Sequence, residues 1–493
     1  MTSFRSVALR VPFAKWTSGR LASWPLKKFS QIDGAAVPAW IWVVALWAAM
    51  SIPAIVLRGS HLEEGTVVAL ARGAAEDGHW LAPYRYGIRF VERPVLLSWI
   101  AAVIGSLSGG VTVWAARIPH VLFLLAGGLM IFDLVKSKAS QSAAVFGAMC
   151  WFAAPIVAQK FVTAEPDVAV SVLLFGAFFV WWKGVAARSV SLARWASIGL
   201  LLAAAGLTKG PQPLGYFTLG VGTYLLLRGR LTDWPGFLLA NGMAGIVVGA
   251  WYAAVAVPDD VHLWLIHSRI GPTPPGVWLK DHANFVVSMF FEWLPSSLLF
   301  VVMCRVLRRT LIENELALAA ALYAVVGTLA LVVWPGGVAT RYAMPGTLGI
   351  AVLSGILFDR YRASHPRIIG GSLVLAEVVV IYVIVVGWLV MPFAQSAFNR
   401  SSITAGLIKA QQNVPGPLYV CGSSIDLNVL AHFSGPVKEV SCDAPQGIVA
   451  PAIAALAPAE AAAVAAGRPD LRVVPRATAP KTTMSQIVEI QSR

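Results

Sequence analysis

Long apolar runs recur along the whole chain, and each is close to the length that crosses a lipid bilayer. A membrane-spanning helix needs about 20 mostly apolar residues. The 493 residues are 57% hydrophobic and only 13% charged, with a mean hydropathy of +0.71. Because soluble domains carry about 25% charged residues, the sequence predicts an all-α polytopic membrane protein.

Eleven of these runs are predicted to be spans. They are 38–57, 113–134, 140–158, 166–184, 192–208, 210–228, 234–257, 286–304, 315–335, 342–358 and 369–392. The run at 94–109 is shorter and ends in glycine and serine, so we predict a short interfacial or re-entrant helix that does not cross. The segment 58–112 then forms one long outer loop.

The distribution of positive charge fixes the predicted orientation. Residues 1–36 are basic and lack the short apolar region and cleavage site of a signal peptide, so we interpret them as a cytoplasmic tail. With this end inside, the loops on the same side carry most of the basic residues: Lys136, Lys138, Lys183, Arg188, Arg194, Arg228, Arg230, Arg305, Arg308, Arg309, Arg360, Arg362 and Arg367. The net charge of +14 therefore reads as an orientation signal and not as a nucleic-acid surface.

The composition changes after residue 392, where the predicted membrane domain (37–392) ends. Residues 393–493 contain an alanine-rich stretch, "IAALAPAEAAAVAAG", that reads as helical, and β-like runs in "GPLYVCG", "VKEVSC" and "LRVVP". We predict a small α/β domain on the outer side, without a catalytic constellation and unnecessary for donor binding. Cys421 and Cys442 can form a disulfide there if the domain lies outside the cytoplasm.

The long outer loop carries paired carboxylates directly after the first span. The pattern predicts a helix over 63–76, with Ser60, Glu63 and Glu64 near its start. Carboxylates at a helix N-terminus are ordinary capping residues. Long loops in compact proteins are usually functional, so a catalytic role for the pair stays open beside the capping role.

Motifs in this loop resemble those of a known family. The stretch 61–100 combines the acidic pair with Gly78, Trp80 and Pro83, and it ends in "FVERP". It resembles the first outer loop of the GT-C glycosyltransferases related to lipid A aminoarabinose transferase and protein O-mannosyltransferases. Further matches follow in order over residues 30 to 390: "VWAARIPHVLF", "TAEPDVAV", "LTKGP", "IHSRIG" followed by "DHANF" and "WLP", and "RYAMP".

The resemblance implies transfer of a sugar from a polyprenyl-phosphate donor to an envelope acceptor (lipid A, core polysaccharide, glycan or protein). The reaction would take place on the outer face of the inner (cytoplasmic) membrane. Glu63 is the first candidate for the acceptor side, supported by Glu165 or Asp167 as further catalytic candidates. Candidates for binding substrate are Glu92, Arg93, Lys209, His267, Arg269, Arg341 and Tyr342. Arginine binds phosphate in a bidentate manner and lysine as a point charge.

Two departures from the family pattern keep alternatives open. Glu63 stands where the family usually has Asp, and Val67 stands where it commonly has Tyr. A catalytically inactive homologue is therefore one alternative, and a transporter or flippase of lipid-linked sugar is another. A divalent metal also stays open, since carboxylates and histidines share the outer side but no spacing demands an ion. The expected partners are the lipid-linked donor, the acceptor and membrane lipids, and no nucleic acid.

Overall fold

The computed structural model describes most of the chain. The described residues are 25–57, 60, 63–92, 94–258, 260, 264, 274–390, 401–414, 416–420, 427–433, 435–440, 447–478 and 486–493. The predicted domain boundary at 392/393 and the predicted Cys421–Cys442 pair lie outside them.

Helices make up most of the described chain. They are α1 (Trp40–Leu57), α2 (Glu64–Ala75), α3 (Leu96–Leu107), α4 (Val113–Lys136), α5 (Gln141–Ala153), α6 (Pro155–Ala158), α7 (Pro166–Ala186), α8 (Leu192–Lys209), α9 (Gly215–Leu227), α10 (Trp234–Val255), α11 (Pro275–Glu292), α12 (Ser296–Val302), α13 (Cys304–Glu313), α14 (Glu315–Val332), α15 (Met344–Tyr361), α16 (Pro366–Val385), α17 (Ser401–Asn413), α18 (Leu427–Leu430) and α19 (Pro458–Gly467). The strands are β1 (Tyr84–Arg85), β2 (Ile88–Arg89), β3 (Leu418–Val420), β4 (Val437–Glu439), β5 (Ala452–Leu456), β6 (Leu471–Thr478) and β7 (Gln486–Ser492).

The spans are fewer or less regular than the sequence predicts. Among the described residues, 7 helices are long and apolar enough to cross a membrane, or up to 9 if each of two bent helix pairs is one span. The predicted span 140–158 bends by 65° after Ala153, where Pro155 follows and cannot continue the hydrogen-bond ladder. The predicted span 286–304 falls on two helices that meet at 96°. The protein is multi-pass, but the count of eleven is not confirmed.

The run at 94–109 forms α3, which has 12 residues. At 1.5 Å per residue it is about 18 Å long, well short of the ~30 Å hydrocarbon core. The structure therefore agrees with a helix that does not cross by itself. Together with α2 and a hairpin of β1 and β2 it fills the loop between α1 and α4.

Small residues let the long helices approach closely. A Cβ added to Gly220 of α9 would lie 2.6 Å from the Cα atom of Tyr323 on α14, so glycine is required at this crossing. Close approach through small residues is the usual basis of helix packing in membranes. Tyr323, Phe178 and Trp181 then fill the bundle interior as neighbouring aromatic rings.

Polar contacts mark the two ends of the bundle. At one end Asp33, which precedes α1, accepts hydrogen bonds from the backbone N–H of Ser142 and from Arg362. Ser142 is at the start of α5, and Arg362 follows α15. The other end holds the segments after α1, before α7 and before α15. Glu63, Glu165 and Arg341 lie in these segments, so the fold places them at one end, as the predicted threading requires.

The C-terminal region contains a small α/β fold. Its five-stranded sheet has the order β4-β3-β5-β7-β6, with β3 parallel to both β4 and β5 and the remaining pairs antiparallel. The helical interpretation of "IAALAPAEAAAVAAG" is wrong in its first part: Ala452–Leu456 is strand β5, and the helix begins at Pro458. All five residues of β5 are buried, and alanine fits such a central strand despite its low β-propensity.

Candidate active site

Glu63 lies at the outer end of the bundle and is paired with a cation. It follows α1 in sequence and is the residue before α2. Its Oε1 accepts a hydrogen bond of 2.7 Å from Nη1 of Arg341, which is in the turn that precedes α15. The Glu63 side chain keeps 20% of its exposure and the Arg341 side chain 39%. The pair is therefore reachable by a substrate.

The two other predicted carboxylates each have a lysine partner. Asp167, in the first turn of α7, accepts from Nζ of Lys209 at the end of α8. Glu165 accepts from Nζ of Lys160 at 2.5 Å and from the hydroxyl of Thr163 at 2.9 Å. Both acids are at most 2% exposed. Burial of an ionised carboxylate requires such partners, and each acid has one.

The three carboxylates converge. One oxygen of each of Glu63, Glu165 and Asp167 lies within 4.8 Å of the others. Three cations, Arg341, Lys160 and Lys209, balance them one to one. Among the described residues, Oδ2 of Asp167 is buried without a hydrogen-bond partner, so a substrate hydroxyl at this position would satisfy it.

A cavity of about 220 Å³ opens beside the cluster. Asp167, Lys209, Gln212, Arg341 and Tyr342 form its polar part, with Nζ of Lys209 5.0 Å from the centre of the Tyr342 ring. The rest of the wall is mainly apolar: Val170, Pro213, Tyr216, Leu219, Ala330, Leu331, Trp334 and Pro345. Cations at one end of an apolar cavity fit an anionic head group on a hydrocarbon chain.

The capping interpretation is wrong for Glu63. Glu63 is the N-cap residue of α2 by position, but its side chain makes no capping hydrogen bond. The hydroxyl of Ser60 is buried without a partner among the described residues. The N–H of Gly65, in the first turn, is instead bonded to the side chain of Asn428 from the C-terminal fold. The predicted helix itself is confirmed as Glu64–Ala75.

Glu64 has a separate structural role. It is fully buried and forms a bidentate pair with Arg117 of α4, through contacts of 2.7 and 2.8 Å. Arg117 also donates to the backbone carbonyl of Ile55 at the end of α1. Glu64 therefore joins α2 to α1 and α4, whereas its neighbour Glu63 faces the cluster.

The remaining predicted residues divide into two groups. Glu92 is half-buried in the loop before α3 and does not line the cavity beside Lys209. Arg93, His267 and Arg269 lie outside the described residues. Val67, at the position where the family commonly has Tyr, borders a small pocket next to Glu63 together with Ser98 and Thr208.

Sequence reasoning missed Lys160 and the role of Arg117. Lys160 is the only charged residue between Lys138 and Glu165, and an isolated charge of this kind marks a site in a membrane protein. The motif "VWAARIPHVLF" contains Arg117, but the sequence does not show which residue Arg117 pairs with. Its pairing with Glu64 across 53 residues leaves no local pattern.

Comparison with known proteins supports this architecture. Residues 92–252 match the family model described as dolichyl-phosphate-mannose-protein mannosyltransferase. The crystal structure of ArnT from Cupriavidus metallidurans bound to undecaprenyl phosphate superposes with a TM-score of 0.67 at 16% identity, covering 91% of this chain and 97% of that one. The chain has a GT-C fold. The apo form of the same ArnT gives an equal TM-score of 0.67.

Curated proteins match part of the chain in sequence. The undecaprenyl phosphate-α-4-amino-4-deoxy-L-arabinose arabinosyl transferase of Erwinia tasmaniensis is 24% identical over 213 residues, which are 42% of this chain. An enzyme of the same name from Proteus mirabilis, numbered 2, gives the same identity and coverage. The chain matches 38% of the length of each of these relatives.

Proposed function

We propose that the protein transfers a sugar from a polyprenyl phosphate to a cell-envelope acceptor. The observation that carries this proposal is that three carboxylates meet beside two cations, Lys209 and Arg341, which line the polar end of a mainly apolar cavity. Sugar transfer needs a base near the acceptor hydroxyl and positive charge near the departing phosphate. The similar ArnT structure holds undecaprenyl phosphate, which agrees with a donor of this class.

The roles follow from the contacts. Glu63 accepts the proton of the acceptor hydroxyl or orients it, since it is the most exposed of the three acids. Asp167 offers its unpartnered oxygen to a hydroxyl of the donor sugar, and Glu165 supports the cluster through Lys160. Lys209 and Arg341 neutralise the donor phosphate. Arg341 has five N–H donors, and the contact with Glu63 uses one nitrogen, so the guanidinium can contact acid and phosphate together.

The acceptor is an envelope lipid, polysaccharide, glycan or protein that meets the donor at the outer face. Mass spectrometry of envelope glycolipids from cells with and without the gene would identify it. A synthetic polyprenyl-phosphate sugar tests the reaction itself. Release of its sugar to an acceptor supports the proposal. Translocation of the intact donor without transfer would favour the flippase alternative. Donor binding with neither transfer nor translocation would favour an inactive homologue.

Replacing Arg341 by methionine should weaken donor binding by about tenfold or more, since a hydrogen bond to a charged group contributes about 1.5–3 kcal/mol. The half-exposed position tolerates the change. Arg341→Lys keeps the charge and should lose less. Arg309→Met serves as the matched control, because the Arg309 side chain is 72% exposed and lies beyond the other end of the bundle. Titration with an unreactive donor analogue measures the affinities, and equal values for wild type and Arg341→Met would remove Arg341 from the phosphate site.

We propose further that turnover needs no added divalent cation. Carboxylate ligands of Mg²⁺ or Ca²⁺ lie about 2.0–2.6 Å from the ion, so three oxygens within 4.8 Å of one another could share an ion by distance alone. Charge balance is what makes an ion unnecessary. The three basic partners already neutralise the acids. Dialysis against EDTA should leave the transfer rate within about twofold. A loss of activity that Mg²⁺ or Mn²⁺ restores would instead assign a cation to Glu63, Glu165 and Asp167.

The proposed orientation places the Asp33 end in the cytoplasm and the carboxylate cluster outside, in the inner membrane, because basic residues gather at the Asp33 end. Ser108 and Ser137 are exposed serines in loops at the two ends, so single cysteines at these sites form a matched pair. In intact cells an impermeant thiol reagent should label Ser108→Cys and spare Ser137→Cys. The reverse pattern would invert the threading.

A further inference from the structure

The C-terminal fold contacts the start of α2 directly. Oδ1 of Asn428 accepts a hydrogen bond of 3.1 Å from the backbone N–H of Gly65. The first N–H groups of a helix have no partner within the helix, and Glu63 does not supply one. A side chain 363 residues away in sequence thus performs the function of an N-cap.

A second contact lies on the other side of Glu63. The backbone N–H of Ser60 donates to Nε2 of His432 at 3.3 Å. This contact requires a neutral imidazole with Nε2 as the acceptor. Burial and the nearby charge of Arg117 lower the pKa of His432, opposed by Glu64, so the ring stays neutral at neutral pH. Residues 60 and 65, which flank Glu63, are therefore both bonded to the C-terminal fold.

Tight apolar packing accompanies these bonds. A Cβ added to Gly65 would lie 2.4 Å from the backbone carbon of Leu427, so the two segments touch along their backbones. Ala431 is buried in one cluster with Val67 and Val68. Ala69, also on α2, belongs to the core cluster of the C-terminal fold.

The hairpin of the outer loop enters the same core. Tyr86 has a φ of +52°, a conformation that a bulky residue adopts only when its surroundings hold it there. Its ring is 4% exposed and lies in the core cluster that contains Leu430 and Phe433. The C-terminal fold therefore packs against both the helix and the hairpin of the first outer loop.

We propose that the C-terminal fold holds Glu63 in position for the reaction, with Asn428 as its principal positioning residue. This inference rests on the proposed function of Glu63. The bonds at Gly65 and Ser60 fix the backbone on both sides of the acid, while its carboxylate remains accessible. A misplacement of about 1 Å at a reacting group lowers rates by as much as ~100-fold, so a rigid anchor at this point affects turnover. The proposed phosphate ligands lie on other elements, Lys209 at the end of α8 and Arg341 in the turn before α15, so donor binding should depend on this anchor far less than turnover does.

The test uses the full-length protein with Asn428→Ala and Asn428→Asp. Aspartate retains the accepting oxygen, so it should restore what alanine loses. We expect Asn428→Ala to lower kcat by about tenfold, with the affinity for an unreactive donor analogue unchanged within about twofold. Asp470→Asn, on an exposed turn of the C-terminal fold, is the matched control and should behave as wild type.

Hydrogen exchange gives a readout that is independent of activity. The Gly65 amide should exchange about tenfold faster in Asn428→Ala than in Asn428→Asp. This difference is expected even if the wild-type protein transfers no sugar. Failure of the proposed function can therefore be told apart from failure of this inference. Unchanged kcat in Asn428→Ala, unchanged exchange at Gly65, or a loss of donor affinity as large as the loss of kcat would each overturn the positioning role.

Discussion

Replacing Glu63 with glutamine is expected to lower the turnover of sugar transfer by about a hundredfold or more, the usual scale for loss of a general base. Glutamine keeps the size of the side chain and an oxygen that can still accept from Arg341. It cannot accept the proton of an acceptor hydroxyl. Because the Glu63–Arg341 pair is partly exposed, stability should change little, and the donor phosphate should bind as before.

The control for this substitution is Asp77→Asn. Asp77 lies just beyond the other end of α2 and is exposed, so its replacement removes a similar charge close to the same helix. Rates measured at saturating donor separate turnover from binding. If Glu63→Gln retains a rate within about threefold of wild type, the loss is too small for a general base, and the catalytic acid must be sought at Glu165 or Asp167.

Much of the architecture could be predicted from local patterns. Apolar length gives α1, α4, α7 and α16 directly, because a span needs a continuous run of suitable length. Bends are harder to predict. The run 140–158 contains Pro155 and the run 286–304 contains Pro295. A proline interrupts a helix, but it does not by itself set an angle of 65° or 96°.

Residues of the candidate site could be predicted from motif resemblance, not from apolar length. Motif resemblance identified Glu63, Asp167, Lys209 and Arg341 separately, and the structure brings them to one end of the bundle. The sequence could not identify the hydrogen-bond and ion-pair partners around this site. Asn428 caps a helix 363 residues away, so no spacing rule connects them. The predicted capping by Glu63 failed because the tertiary contact with Asn428 replaces the local one.

Of the proposed substitutions, Glu64→Gln should lower stability most, whereas Glu63→Gln should change it little. Glu64→Gln leaves the guanidinium of Arg117 buried, 4% exposed, without its counter-charge. Removing one partner of a buried ion pair costs about 3–5 kcal/mol. We therefore expect a clear fall in the thermal unfolding temperature of the detergent-solubilised protein. Activity should fall with the folded fraction, whereas Glu63→Gln should lose activity at an unchanged unfolding temperature.

A double replacement distinguishes the ion pair from the site. Glu64→Leu with Arg117→Leu removes both charges together, and such exchanges of a buried pair for apolar residues are often neutral. The double variant should regain most of the stability that Glu64→Gln loses. If it also regains activity, the pair serves only to join α1, α2 and α4, and of the adjacent carboxylates only Glu63 takes part in the reaction. A stable double variant without activity would instead place Glu64 or Arg117 among the groups that the reaction needs.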